Sequence, residues 1–104
     1  MIHRRAPAAS RRSLSNIFAD LGFEAEEAEQ LRIRAELMIV LGRLIERRGL
    51  TQADAATLFG VSQPRISDLV RGKIDRFSID TLVAMLGRGG MTVRFSAKPR
   101  RRVA

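Results

Sequence analysis

The sequence predicts an all-α fold, a small bundle of helices followed by one short β-strand near the C-terminal end. Three observations carry that expectation. Apolar residues recur at three- and four-residue spacing through most of the chain. Helix punctuation is in place: Thr51, Ser62 and Ser78 stand where N-caps belong, and Gly22, Gly49, Gly60 and Gly72 stand where helices stop. Only Met91 to Ser96 alternates apolar and polar residues at the period of a strand. At 104 residues the chain holds one modest core.

Residues 1–13 carry Ala, Pro, Ser and Arg without apolar periodicity and read as a disordered basic tail. In residues 14–23, Leu14, Ile17, Phe18 and Leu21 recur at helical spacing and predict a short amphipathic segment ended by Gly22. The main domain is expected over residues 24–87. Its acidic start, Glu24 to Glu29, complements a helix dipole, and Leu37, Leu41, Leu44 and Ile45 line one face of a long helix, with Leu31 and Met38 nearby. Arg47, Arg48 and Gly49 give that helix a basic last turn and a stop.

Thr51 caps a second helix running to about Phe59, with Asp54 three residues on in the manner of a capping box. Ser62 caps a third, from Gln63 to Val70, whose first turn tolerates Pro64 because no amide hydrogen is needed there. Ser78 caps a fourth carrying Ile79, Leu82, Val83 and Leu86, and Phe77 before the cap is placed to pack on Leu82. Gly87, Gly89 and Gly90 break it. Residues 88–96 then hold the strand, and residues 97–104 form a second basic tail. A lone strand has no ladder partner within its chain, so Met91, Val93 and Phe95 are expected to pair with the same strand of a second copy, giving a homodimer.

The formal net charge of +8 is unevenly spread. From Glu24 to Gly87 there are nine Lys/Arg and ten Asp/Glu; the excess lies in Arg4, Arg5, Arg11 and Arg12 at one end and Arg88, Arg94, Lys98 and Arg100 to Arg102 at the other. Basic ends suit a polyanion, and solvated tails explain them equally well. Without cysteine there is neither a disulfide framework nor a thiolate metal site. The one histidine, His3, lies in the basic tail. No nucleophile–base pair, phosphate loop or metal-ligand set is present, so neither an enzyme nor a cofactor is expected. No apolar run is long enough to span a membrane and no secretory segment follows the basic start, which makes a cytoplasmic location the expectation.

The informative stretch is TQADAATLFGVSQPRISDLVRG, Thr51 to Gly72. Two short helices crossing steeply need a small residue at their approach, here Ala56, and a residue tolerating positive φ in the turn, here Gly60. Val61, Ile66 and Leu69 then face inward. On or beside the outward face of the third helix remain Gln63, Arg65, Ser67, Asp68 and Arg71. The first residues of such a helix meet base edges in the major groove. Gln63 suits adenine, Arg65 suits guanine or a phosphate, and the ring of Pro64 suits a thymine methyl. Ser62 joins this set at the helix start. Asp68 either accepts from cytosine, orients Arg65 or Arg71, or pairs with Arg71 across one helical turn. Gln52, at the start of the second helix, is placed for a phosphate, as are Lys73 and Arg76 in the following loop.

Residues Thr51 to Leu86, about half the chain, resemble the Xre/Cro-like helix-turn-helix family. The resemblance implies a lambda-repressor-like bundle that binds double-stranded operator DNA as a repressor. A wider stretch, with SNIFADLGF and the acidic helix start ahead of this motif and a strand behind it, is similar to HigA-like antitoxins. That resemblance implies autorepression and neutralisation of a RelE-like mRNA interferase toxin. On it, Gln52, Gln63, Pro64, Arg65 and Ser67 match DNA-facing positions, whereas Asp68 departs from the neutral amide often found there. The stripe Leu14, Ile17, Phe18 and Leu21, beside Glu24, Glu26, Glu27 and Glu29, is the candidate toxin-binding segment; packing on its own domain is the other reading of it. The alternatives are a stand-alone Xre-family repressor and an adaptor that bridges proteins with the same fold.

Overall fold

The structure, a computed structural model, describes Leu14 and residues 16–99. The basic tail expected over 1–13 and the end of the second tail, 100–104, lie outside the described residues.

Residues 16–20 are helical, and this segment turns at Gly22, whose φ of +91° only glycine adopts freely. The Phe18 and Phe23 rings meet edge to face, 6.2 Å between centroids, across that turn. Helix α1 follows, Ala25–Arg47, with Glu24 at its N-cap and Glu26 and Glu27 in its first turn. The Glu24 backbone N–H donates to the Glu27 carboxylate at 3.4 Å, so the acidic start supplies an acceptor as well as charge. On its solvent side Arg32 donates to Glu29 and Glu36, with N–O distances of 2.6 and 2.7 Å. The Glu29 hydrogen bond, opposed by partial desolvation and reinforced by Glu36, raises the pKa of Arg32 above the ordinary arginine range.

Three short helices and a 3-10 turn follow α1. Helix α2, Gln52–Phe59, is capped by the Thr51 hydroxyl, which accepts from the Asp54 N–H at 3.0 Å. Helix α3, Gln63–Val70, is capped by Ser62, which accepts from the Arg65 N–H at 3.3 Å. A short 3-10 turn, Ile74–Arg76, leads to α4, Ile79–Arg88, capped by the Ser78 hydroxyl on the Thr81 N–H at 3.1 Å. This last helix runs through Gly87, and Gly89 is its C-cap. Helices α3 and α4 and the 3-10 turn pack against α1, and α2 packs on α3 and α4.

The core is formed where α1, α2, α3 and α4 converge: Leu41 and Leu44, Ala55 and Phe59, Ile66 and Leu69, Leu82, Met85 and Leu86. Phe77 is also buried, as its place before the Ser78 cap requires. In α1 the burial falls on Met38, Leu41, Leu44 and Ile45, with Leu37 only partly covered, a small rotation of the expected stripe. In α2 the fully buried small residue is Ala55, while Ala56 is half-buried and its carbonyl accepts the N–H groups of Gly60 and Val61 at 3.0 and 3.1 Å. The steep crossing thus uses both alanines, one for packing and one for the turn.

One expectation is corrected. Met91 to Ser96 forms no strand, and no strand occurs among the described residues. Val93 packs on the core, but Met91 and Phe95 are both exposed, Phe95 to 87%. The physical reason is the one already contained in the pattern: backbone N–H and C=O groups make a strand only against a partner, and none is offered among the described residues.

Candidate nucleic-acid interface

Helix α3 is held from both ends of its apolar side. Ile66 and Leu69 are buried, and at about 100° per residue the opposite face carries Pro64, Ser67 and Arg71, with Gln63 and Asp68 beside them. Gln63, Pro64 and Arg71 are exposed, and Ser67 is half-buried. Gly60, at φ +71°, turns the chain sharply enough to present this face, and the Ser62 hydroxyl caps the helix start by accepting the Arg65 N–H. Gln52 is exposed at the first position of α2, where unpaired backbone N–H groups favour an anion.

Arg65 and Val70 sit on the two flanks of α3, and they behave differently. Val70 is 54% exposed, an apolar residue at the edge of the outward face that sequence reasoning did not single out. Arg65 is half-buried and turned toward the loop after α3. Its Nη1 donates to the Arg76 carbonyl at 2.7 Å, and its guanidinium carbon lies 5.5 Å from the centre of the Phe77 ring. Asp68 pairs with Arg76, at 3.5 Å, rather than with Arg71. Arg71 and Lys73 therefore flank a loop in which Arg76 is already balanced by Asp68.

Arg34 of α1 reaches the same loop, its Nη1 donating to the carbonyls of Ile74 and Phe77 at 3.4 and 3.5 Å. This contact spans forty residues of sequence, and no local spacing announces it. The sequence placed Arg48 in the basic last turn of α1; its Nη2 also donates to the Gly89 carbonyl at 3.2 Å and so closes the end of α4.

Of the residues expected at nucleic acid, Gln52, Ser62, Gln63, Pro64, Arg71 and Arg76 are exposed, Ser67 and Lys73 are half-buried, and Arg65 and Asp68 are tied to Arg76 in the loop. The stripe ahead of α1 is divided: Ile17 and Leu21 are 49% and 68% exposed, whereas Leu14 and Phe18 are half-buried. Among the described residues no helix is long and apolar enough to cross a membrane.

Two short capped helices crossing at a glycine turn, the second fixed inward by two apolar residues and polar outward, define a helix-turn-helix DNA-binding domain. A helix-turn-helix domain family model matches residues 17–98. A solved chain described as an XRE family transcriptional regulator is 34% identical, with a TM-score of 0.66, over 75% of this chain and 90% of that one. No curated protein matches. The chain belongs to the helix-turn-helix family of XRE-type transcriptional regulators. Its family and fold are those of a DNA-binding regulator and not of an enzyme.

Proposed function

We propose that this protein is a sequence-specific operator-binding repressor that acts as a homodimer. The observation that carries the reading is the outward face of α3: Gln63, Pro64, Ser67 and Arg71 are presented together on a helix whose other side is locked by Ile66 and Leu69. Gln63 offers a bidentate amide to adenine, the Pro64 ring a surface for a thymine methyl, and Ser67 and Arg71 further donors. Gln52, Ser62, Lys73 and Arg76 anchor phosphates around that face. The exposed Met91 and Phe95 favour a dimer made through this apolar segment of two copies, with Val93 holding it on the core. Such a dimer sets two recognition helices roughly 34 Å apart, one turn of duplex.

A second role is favoured by the segment ahead of α1. Ile17, Leu21 and Phe23 are exposed beside the acidic Glu24, Glu26 and Glu27, an apolar and negative surface suited to a basic protein. On this reading the chain is also an antitoxin whose partner is a RelE-like mRNA interferase, and the two roles coexist because the two surfaces lie on different elements. The test is co-expression with the product of the neighbouring reading frame, followed by titration of promoter DNA. A complex that still retards the promoter supports both roles. Promoter binding without a complex leaves the repressor alone, and a complex without promoter binding overturns the repressor reading.

A further inference from the structure

The base-reading role that the sequence expects of Arg65 requires its guanidinium to be free, and in the structure it is engaged twice. It donates to the Arg76 carbonyl at 2.7 Å and lies over the Phe77 ring at 5.5 Å. Around it, Asp68 holds the Arg76 side chain at 3.5 Å, and Arg34 donates to the carbonyls of Ile74 and Phe77. Three side chains from α1 and α3, Arg34, Arg65 and Asp68, thus converge on the five-residue span from Lys73 to Phe77, in which Phe77 is buried and Ile74 packs partly against the core. The span itself has little regular structure, one 3-10 turn of three residues. Phe77 and Ile74 hold one side of the span on the core, and these polar ties hold it to α3.

From this we infer that Arg65 is a positioning residue and not a base reader: it latches the Lys73–Phe77 loop to the recognition helix. The latch fixes where Lys73 and Arg76 meet the phosphates relative to where Gln63 and Ser67 meet the bases. It rests on the DNA-binding reading for its purpose, but not for its existence. The geometry accounts for an arginine at this position. The guanidinium is broad and carries five donors, so Nη1 reaches the Arg76 carbonyl while its central carbon lies over the Phe77 ring. The compact point charge of an ammonium does not reproduce that fixed spacing. The helical position agrees, since Arg65 lies on a flank of α3 about 100° or more from Pro64 and Ser67. Asp68, which departs from the neutral amide of the resembling family, belongs to the same latch: its carboxylate faces Arg76 rather than a base.

Two measurements test this on the full chain. The first needs no DNA. Amide exchange is followed in wild type, Arg65→Ala, Arg65→Lys and Asp68→Asn. The latch predicts faster exchange at Arg76 and Phe77 in all three variants, with the Arg65→Lys protein no better than Arg65→Ala and the amides around Leu41 unchanged. Unaltered loop exchange in the Arg65 variants overturns the latch, as does full recovery in Arg65→Lys. The second uses the duplex that the wild-type chain enriches from a randomised library, with each base pair then substituted in turn. A positioning role predicts that Arg65→Ala weakens binding to every duplex by one common factor. A base reader instead loses discrimination at a single base pair, by roughly ten-fold or more, and that result overturns the proposal. Should wild type enrich no duplex, the repressor reading falls and the exchange experiment still decides the latch.

Discussion

Gly87 and Gly89 sit two residues apart at the end of α4, and substituting each with alanine should move stability in opposite directions. Gly87 lies inside the helix, with nothing within 4 Å of an added Cβ. Alanine there restricts the unfolded chain and should stabilise by about 0.5–1 kcal/mol. Gly89 has an ordinary φ of −81°, so no backbone strain arises, but it is buried at the junction of α1, α2 and α4. A Cβ on Gly89 would stand 2.7 Å from the Phe59 ring, 3.3 Å from Leu44 and 3.4 Å from the Leu86 carbonyl. Phe59 is 1% exposed and has nowhere to retreat. Overpacking of this kind costs about 1–3 kcal/mol, from which the entropic gain of about 0.4–1 is subtracted. The net loss for Gly89→Ala is therefore about 1–2 kcal/mol. For a domain of this size that corresponds to a Tm lower by about 5–15 °C. Because Phe59 immediately precedes Gly60, the displaced ring also shifts the turn that aims α3, so operator affinity should fall with stability. Thermal unfolding of the two variants, side by side, is the assay. A Gly89→Ala protein as stable as Gly87→Ala would refute the packing argument at its centre.

Replacing Ser62 by alanine removes the acceptor for the Arg65 N–H and should cost about 1 kcal/mol in urea unfolding. Ser62→Asp keeps a cap but adds a carboxylate at the proposed phosphate contact, so it should unfold like wild type while binding DNA poorly; equal binding by the two would remove Ser62 from the interface. Phe95→Ser touches a side chain 87% exposed in the single chain, so it should leave monomer unfolding unchanged and shift sedimentation toward monomer. A dimer of undiminished affinity would rule out this segment as its interface. Arg32→Met keeps apolar contact but loses the pairs to Glu29 and Glu36, costing about 0.5–1 kcal/mol at low ionic strength and less in high salt. The folded-state pKa of Arg32 is raised, so its contribution is complete below the ordinary arginine value and lost only in strong alkali above it. The difference between the two proteins should accordingly stay constant from pH 7 to pH 10, as unfolding at several pH values would reveal.

The helices were legible because their signals are local. Thr51, Ser62 and Ser78 cap the elements they precede, and the buried Leu41, Leu44, Ile66, Leu69 and Leu82 recur at helical spacing on their own segments. The outward face of α3 followed by subtraction once Ile66 and Leu69 were placed inside. Ala55 was missed in favour of Ala56 because both are small and adjacent, and the choice between them depends on the crossing of α2 with its neighbours. The strand was expected from alternation alone, a pattern that describes a competence for pairing and not a state of one chain. The contacts of Arg34 and Arg48 and the Arg65–Phe77 contact were invisible for a shared reason. Each joins residues twelve to forty-three positions apart through a flexible cation, and no periodicity encodes the end point of such a side chain.

That difference in legibility follows the division of labour in the fold. The apolar residues determine where α3 lies, and they do so through close packing that tolerates little displacement. The loop from Lys73 to Phe77 has one fully buried anchor, Phe77, with Ile74 partly covered, and its remaining ties to α3 are charged side chains that water competes for. Local opening should therefore begin in this loop while α3 stays seated, so the proposed phosphate contacts of Lys73 and Arg76 can be lost and regained without dissolving the proposed base-facing surface. A regulator arranged in this way keeps its sequence preference when its grip weakens. Changes in ionic strength should then alter operator affinity far more than the ratio of affinities between operators, whereas a change at Phe59 or Gly89 alters both.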